Sequence, residues 1–115
     1  MNRSRRIESI VDAVCNTPLV RLHHIGRETP DVKLYLKLEY ANPGGSVKDR
    51  PALQMVRDAI GDGRLTKDKI LIDATSGNTG VAYSLFGAAL GFRVRLVMPS
   101  NVSQARKDIT QAFGT

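Results

Sequence analysis

"KILIDATSGNTGVAYSLFGAALGFRVRLVMPS", residues 69–100, decides how this chain folds. "KILID" reads as a short strand, and "RVRLVMP" as a second one closed by Pro99. Between them a small-residue segment without a charge, from about Asn78 to Leu90, reads as a buried helix stopped by Gly91. A strand, a helix and a strand joined by short connections form a βα unit, and such a crossover sets the two strands parallel.

The same plan extends outward in both directions. Upstream, "VKLYLKLEY" alternates apolar and polar residues, so a strand with Val32, Leu34, Leu36 and Leu38 on one face is expected. "NPGGSVKDR", residues 42–50, follows, and then a helix whose stripe is Ala52, Met55, Val56, Ala59 and Ile60, ended by Gly61 and Gly63. Downstream, "SQARKDITQAFG" places Ala105, Ile109, Ala112 and Phe113 on one helical face, with Ser103 as N-cap. The fold class expected is α/β, three-layered, with a mainly parallel sheet built from βα units. Residues 1–31 read as an N-terminal arm and residues 32–115 as an α/β domain. That domain is expected to be incomplete, because such sheets usually continue past three strands and this chain stops at "FGT".

Composition narrows the function classes. A chain of 115 residues with ordinary apolar content is one domain's length. Cys15 is the single cysteine, so no internal disulfide can form and a reducing, cytoplasmic setting is expected. Glu8 and Asp12 interrupt the N-terminal segment where a secretory signal needs an apolar stretch. The uncharged run from Gly80 to Phe92 falls short of the roughly 20 residues that cross a bilayer. The net charge of +6 suits an anionic partner, but the basic residues are scattered among acids and aromatics are few, which argues against nucleic acid. His23 and His24 read as loop residues, and Cys15 as an idle thiol.

Two loops carry the chemistry, and both follow strands, where ligands bind in open α/β sheets. In the first, Ser46 and Asp49 have the spacing of a capping box, which would make Ser46 the N-cap and set Lys48 in the first helical turn. The positive end of the helix dipole, with any burial, disfavours an ammonium there, and a free amine can attack an aldehyde. The plain alternative is an exposed first-turn lysine. The second loop, "TSGNTG" at 75–80, offers backbone N–H groups at a helix start and would take a phosphate or a carboxylate. It is neither a Walker loop nor a dinucleotide fingerprint, and a ligand-free turn capped by Thr75 or Ser76 is the alternative.

Four segments in order, "NTPLVRL" at 16–22, "KLEYANPGGSVKDR" at 37–50, "TSGNTG" at 75–80 and "MPSNVSQARKDITQAFG" at 98–114, resemble the cysteine synthase and cystathionine β-synthase family of fold type II pyridoxal phosphate enzymes. The resemblance spans nearly the whole chain and concerns the N-terminal portion of family members only. It implies pyridoxal 5'-phosphate as cofactor, held covalently by Lys48, which also moves the substrate α-proton. It implies that Asn78 hydrogen-bonds the 3'-oxygen of the cofactor ring, and that Thr75, Ser76, Gly77 and Thr79 grip the α-carboxylate of an amino-acid substrate. The implied reaction is β-replacement on O-acetylserine with sulfide to give cysteine, with serine as the acceptor substrate if the chain belongs to the cystathionine branch. A homodimer is implied for the full-length protein, without nucleic-acid or membrane partners.

The chain departs from the family pattern in having Asp73 and Ala74 where Glu-Pro is frequent, and in ending at Thr115. The loop that holds the cofactor phosphate belongs to the later part of family members, so the 115 residues alone are expected to be inactive. A noncatalytic α/β binding or interaction module is the competing reading.

Overall fold

The computed structural model describes residues 6–115. Its strands and α-helices run β1 (Leu19–Arg21), β2 (Tyr35–Lys37), α1 (Asp49–Gly61), β3 (Ile70–Ala74), α2 (Asn78–Leu90), β4 (Arg93–Val97) and α3 (Gln104–Ala112). Short 3-10 turns lie at Ile10–Ala13 and Glu39–Ala41. The α/β class stands, and among the described residues the strands form two sheets of two strands each.

The βα unit at the centre is as expected. β3 and β4 pair in parallel from Ile70 opposite Arg93 to Ala74 opposite Val97, with α2 as the crossover. α2 carries no charged residue, and Gly80 through Gly87 are all buried. It ends at Gly91 in the left-handed conformation, φ +80°, where glycine costs least. The helix lies directly on the sheet: a β-carbon at Gly87 would fall 2.7 Å from Val94 Cγ2 and 3.0 Å from the Phe92 carbonyl oxygen.

α1 packs against α2, and the core gathers between them around Phe86 and Val56, with Ala52, Leu53, Ala82 and Leu85. The buried stripe of α1 is Ala52, Leu53 and Val56, while Met55 and Ile60, expected inside, are exposed. Ser84, buried among these groups, donates to the Gly80 carbonyl at 2.9 Å and accepts from Thr115 Oγ1 at 2.8 Å, so its hydroxyl is satisfied.

Two expectations are corrected. The strand read over "VKLYLKLEY" is only Tyr35–Lys37, and it pairs antiparallel with Leu19–Arg21 instead of joining the parallel sheet. Its alternation does not mark one buried face, since Val32 and Leu36 are exposed and Leu34 and Leu38 are half-buried. Among the described residues no helix packs extensively on this two-stranded ribbon of three-residue strands, so neither face is buried. In α3 the inward face is Arg106, Thr110 and Phe113, whereas Ala105, Ile109 and Ala112 are exposed. Thr110 can lie inside because its hydroxyl donates back to the Arg106 and Lys107 carbonyls. Ser103 is the cap residue, as expected, through its carbonyl, which accepts from the Arg106 and Lys107 amides.

Candidate active site

The turn that carries Lys48 is built from the backbone outward. Gly45 takes φ +82° and its N–H donates to the Asn42 carbonyl at 2.8 Å, which closes a tight turn. Ser46 Oγ accepts from the Lys48 amide at 3.1 Å. Ser46 is therefore not the N-cap: α1 begins at Asp49, Lys48 occupies the cap position, and the capping box is not formed. Asp49 reaches back instead to the Gly44 amide, which donates to Oδ2 at 2.5 Å. Asp49 is fully buried and its Oδ1 has no partner among the described residues. Burial pushes its carboxyl up, the Gly44 hydrogen bond opposes this, and the nearby Glu39 charge adds to the rise.

Arg50, the next residue, is held from the other side. Its Nε and Nη2 donate to the two carboxylate oxygens of Glu39, each at 2.8 Å, and Nη2 also reaches Thr17 Oγ1 at 3.1 Å. Thr17 and Asn42 donate to the same carboxylate at 2.8 and 2.9 Å. The Arg50 hydrogen bonds, against an opposing contribution from burial, hold the Glu39 carboxyl at about 2, with Thr17 and Asn42 adding to the effect. The Lys48 side chain itself is exposed. None of the ion pairs among the described residues includes it.

The second loop leaves the C-terminal end of β3. Thr75 Oγ1 accepts from the Gly77 amide at 3.2 Å, which folds the turn, and Gly77 caps α2. Thr75 and Ser76 join Ala74, Val97, Met98 and Pro99 around a cavity of about 450 Å³ across the ends of both parallel strands. Gly77 and Thr79 are half-buried beside it, and Asn78 is exposed. Arg106 Nη1 donates to Asn78 Oδ1 at 2.7 Å, which fixes the amide and leaves its NH2 as the outward donor.

The two loops share one end of the molecule. α1 and α2 flank β3 in the chain through short connections, so both run the same way along it. Tyr83 donates to Met55 Sδ at 3.5 Å. Those residues lie six and five positions past the helix starts at Asp49 and Asn78, so the two starts lie toward the same end of the packed helix pair. Thr75 and Ser76 share the cavity, whereas Lys48, Asn78 and Thr79 are not in its lining. Thr17, Glu39 and Arg106 were not singled out by sequence reading: a threonine, an acid and an arginine of ordinary surface type carry no local signal.

The sequence profile of the pyridoxal-phosphate dependent enzymes matches residues 10–115. The chain belongs to this family. A cysteine synthase of Aquifex aeolicus is 55% identical over 109 residues, covering 93% of this chain and 33% of that protein. Two solved structures superpose closely. A cysteine synthase of Entamoeba histolytica gives a TM-score of 0.91 at 42% identity, over 100% of this chain and 35% of that one. An O-ureido-L-serine synthase gives 0.88 at 40% identity, over 96% and 34%. The chain thus spans about a third of the length of these relatives.

The cofactor of the family is pyridoxal phosphate, and the residues present fit part of its needs. Lys48 presents an exposed amine on an anchored backbone, the space over the Gly45 α-carbon is open, and Asn78 has a donor to offer.

Proposed function

We propose that Lys48 Nζ attaches pyridoxal phosphate covalently and that the 75–79 turn binds the α-carboxylate of an amino-acid substrate, in a protein that makes cysteine from O-acetylserine and sulfide by β-replacement. The packing of α1 on α2 with both helix starts toward one end carries this reading, because it brings an amine and a cluster of N–H donors to the same side of the fold. The bound cofactor supplies an electron sink for the bond to the α-carbon. Lys48 Nζ, once displaced by substrate, takes and returns the α-proton. Asn78 offers its amide NH2 to the cofactor ring oxygen while Arg106 holds the other end of that amide. Thr75, Ser76, Gly77 and Thr79 receive the carboxylate at the start of α2, where the helix dipole favours an anion.

The choice of O-acetylserine over serine or another β-substituted serine rests on the resemblance alone, and the O-ureido-L-serine synthase among the structural neighbours has the same framework. A homodimer and a cytoplasmic setting complete the reading of the full-length protein. Among the described residues no helix is long and apolar enough to cross a membrane.

Incubation of the chain with pyridoxal phosphate, borohydride reduction and peptide mass analysis tests the assignment. The expected adduct lies on Lys48 in preference to the other five lysines and is lost in Lys48→Ala, while O-acetylserine and sulfide are not turned over by the 115 residues. An adduct spread evenly over the lysines, together with concentration-dependent self-association, would favour the noncatalytic module.

A further inference from the structure

Lys48 lies between two anchored neighbours. Asp49 is tied back to Gly44, and Arg50 is tied across to Glu39 and Thr17, residues 11 and 33 positions away in sequence. Glu39 receives four hydrogen bonds from three residues, and the guanidinium presents two parallel N–H donors to its carboxylate. That fork fixes the orientation of Arg50 as well as its distance, which a lysine at 50 could not do. The network also draws in the segment before β1. Asn42 Oδ1 accepts from the Cys15 amide at 3.0 Å, and the Lys37 ammonium donates to the Thr17 carbonyl. Cys15 and Asn16 take positive φ, +76° and +51°, a conformation that non-glycine residues hold only when their surroundings impose it.

We propose that the Thr17–Glu39–Arg50 network, which joins the segment before β1 to the residue after Lys48, positions the Lys48 amine toward the start of α2. Glu39 and Arg50 are positioning residues: neither is assigned a contact with cofactor or substrate, and they act through the backbone of the turn. The lysine side chain keeps its freedom while its α-carbon does not, which suits a group that must bind an aldehyde, release it and return. Glu39 stays charged down to about 2, so the network keeps its ion pair through neutral and mildly acid solution. This inference rests on the reading of Lys48 as the cofactor-bearing amine.

The test is the reduced-adduct experiment on the 115-residue chain, scored as the Lys48 share of all lysine adducts. Arg50→Met and Thr17→Val are expected to lower that share toward the one-sixth that an even spread over the six lysines gives, since misplacing a reacting group removes its rate advantage. Thr17→Ser restores the hydroxyl and is expected to return the share to the wild-type value, a rescue that a loss of general packing would not show. Arg64→Ala, which breaks an exposed ion pair with Asp62, is expected to leave it unchanged. If Arg50→Met does not fold, the Thr17→Val and Thr17→Ser pair decides the matter alone. A Lys48 preference that survives in folded Thr17→Val, or that Thr17→Ser fails to restore, overturns the positioning role and leaves the cofactor assignment standing. A wild-type chain with no Lys48 preference overturns both.

Discussion

Phe86→Ala loses about 3–5 kcal/mol of stability, the cost of truncating a buried aromatic and leaving a cavity behind it. Phe86 has no exposed surface and lies in the core cluster with Val56, Ala52 and Ala82, where α1 meets α2. A small domain has only about 5–15 kcal/mol in total. This one leaves large apolar side chains in water, with Ile72 60% and Val97 58% exposed, so it is expected near the lower end of that range. The variant is therefore expected to keep only about 0–2 kcal/mol and to be marginally folded at room temperature, with its urea midpoint moved strongly toward zero. A cooperative transition displaced by less than about 1 kcal/mol, the scale of an ordinary surface change, would mean that the core is not centred on this residue.

Gly44→Ala is the second large effect, and it falls on the candidate site. A β-carbon there would lie within 3 Å of all three atoms of the Asp49 carboxylate group. That group is buried and hydrogen-bonded to the Gly44 amide, so it has little room to retreat. The expected loss is about 1–3 kcal/mol, the usual cost of overpacking, accompanied by a drop in Lys48 adduct formation as the turn shifts. Because the conflict is between two named groups, the same change made in an Asp49→Ala background costs much less, and a double-mutant cycle of unfolding free energies reads the difference. Additive losses would place the strain elsewhere in the turn.

What could be read from the sequence follows from how local the causes are. The β3–α2–β4 unit was legible because α2 is uncharged from Asn78 to Leu90 and bounded by glycines, and because both strands are short segments rich in Ile, Leu and Val. Lys48 and the 75–79 turn were legible as loops at helix starts, since glycine, serine and threonine have few other uses at such positions. The ribbon of β1 and β2 was not, because the alternation around β2 marks no buried face and the three residues of β1 are all exposed. The face of α3 was misread because burial there rests on the hydroxyl of Thr110 bonding back to its own helix, which an apolar count cannot register. The partners of Arg50 were hidden by distance along the chain: Thr17 and Glu39 acquire their roles only when the fold brings them together.

The central claim is that the amine at position 48 and the turn at 75–79 serve one small molecule. Amide chemical shifts of the ¹⁵N-labelled chain, followed during a titration with pyridoxal phosphate, test it most directly. Lys48 and the amides from Ser76 to Thr79 are expected to move together along one binding curve, and to stay still in Lys48→Ala. Movement at Lys48 with an unchanged 75–79 turn, or shifts spread over the remaining lysines alone, would contradict it.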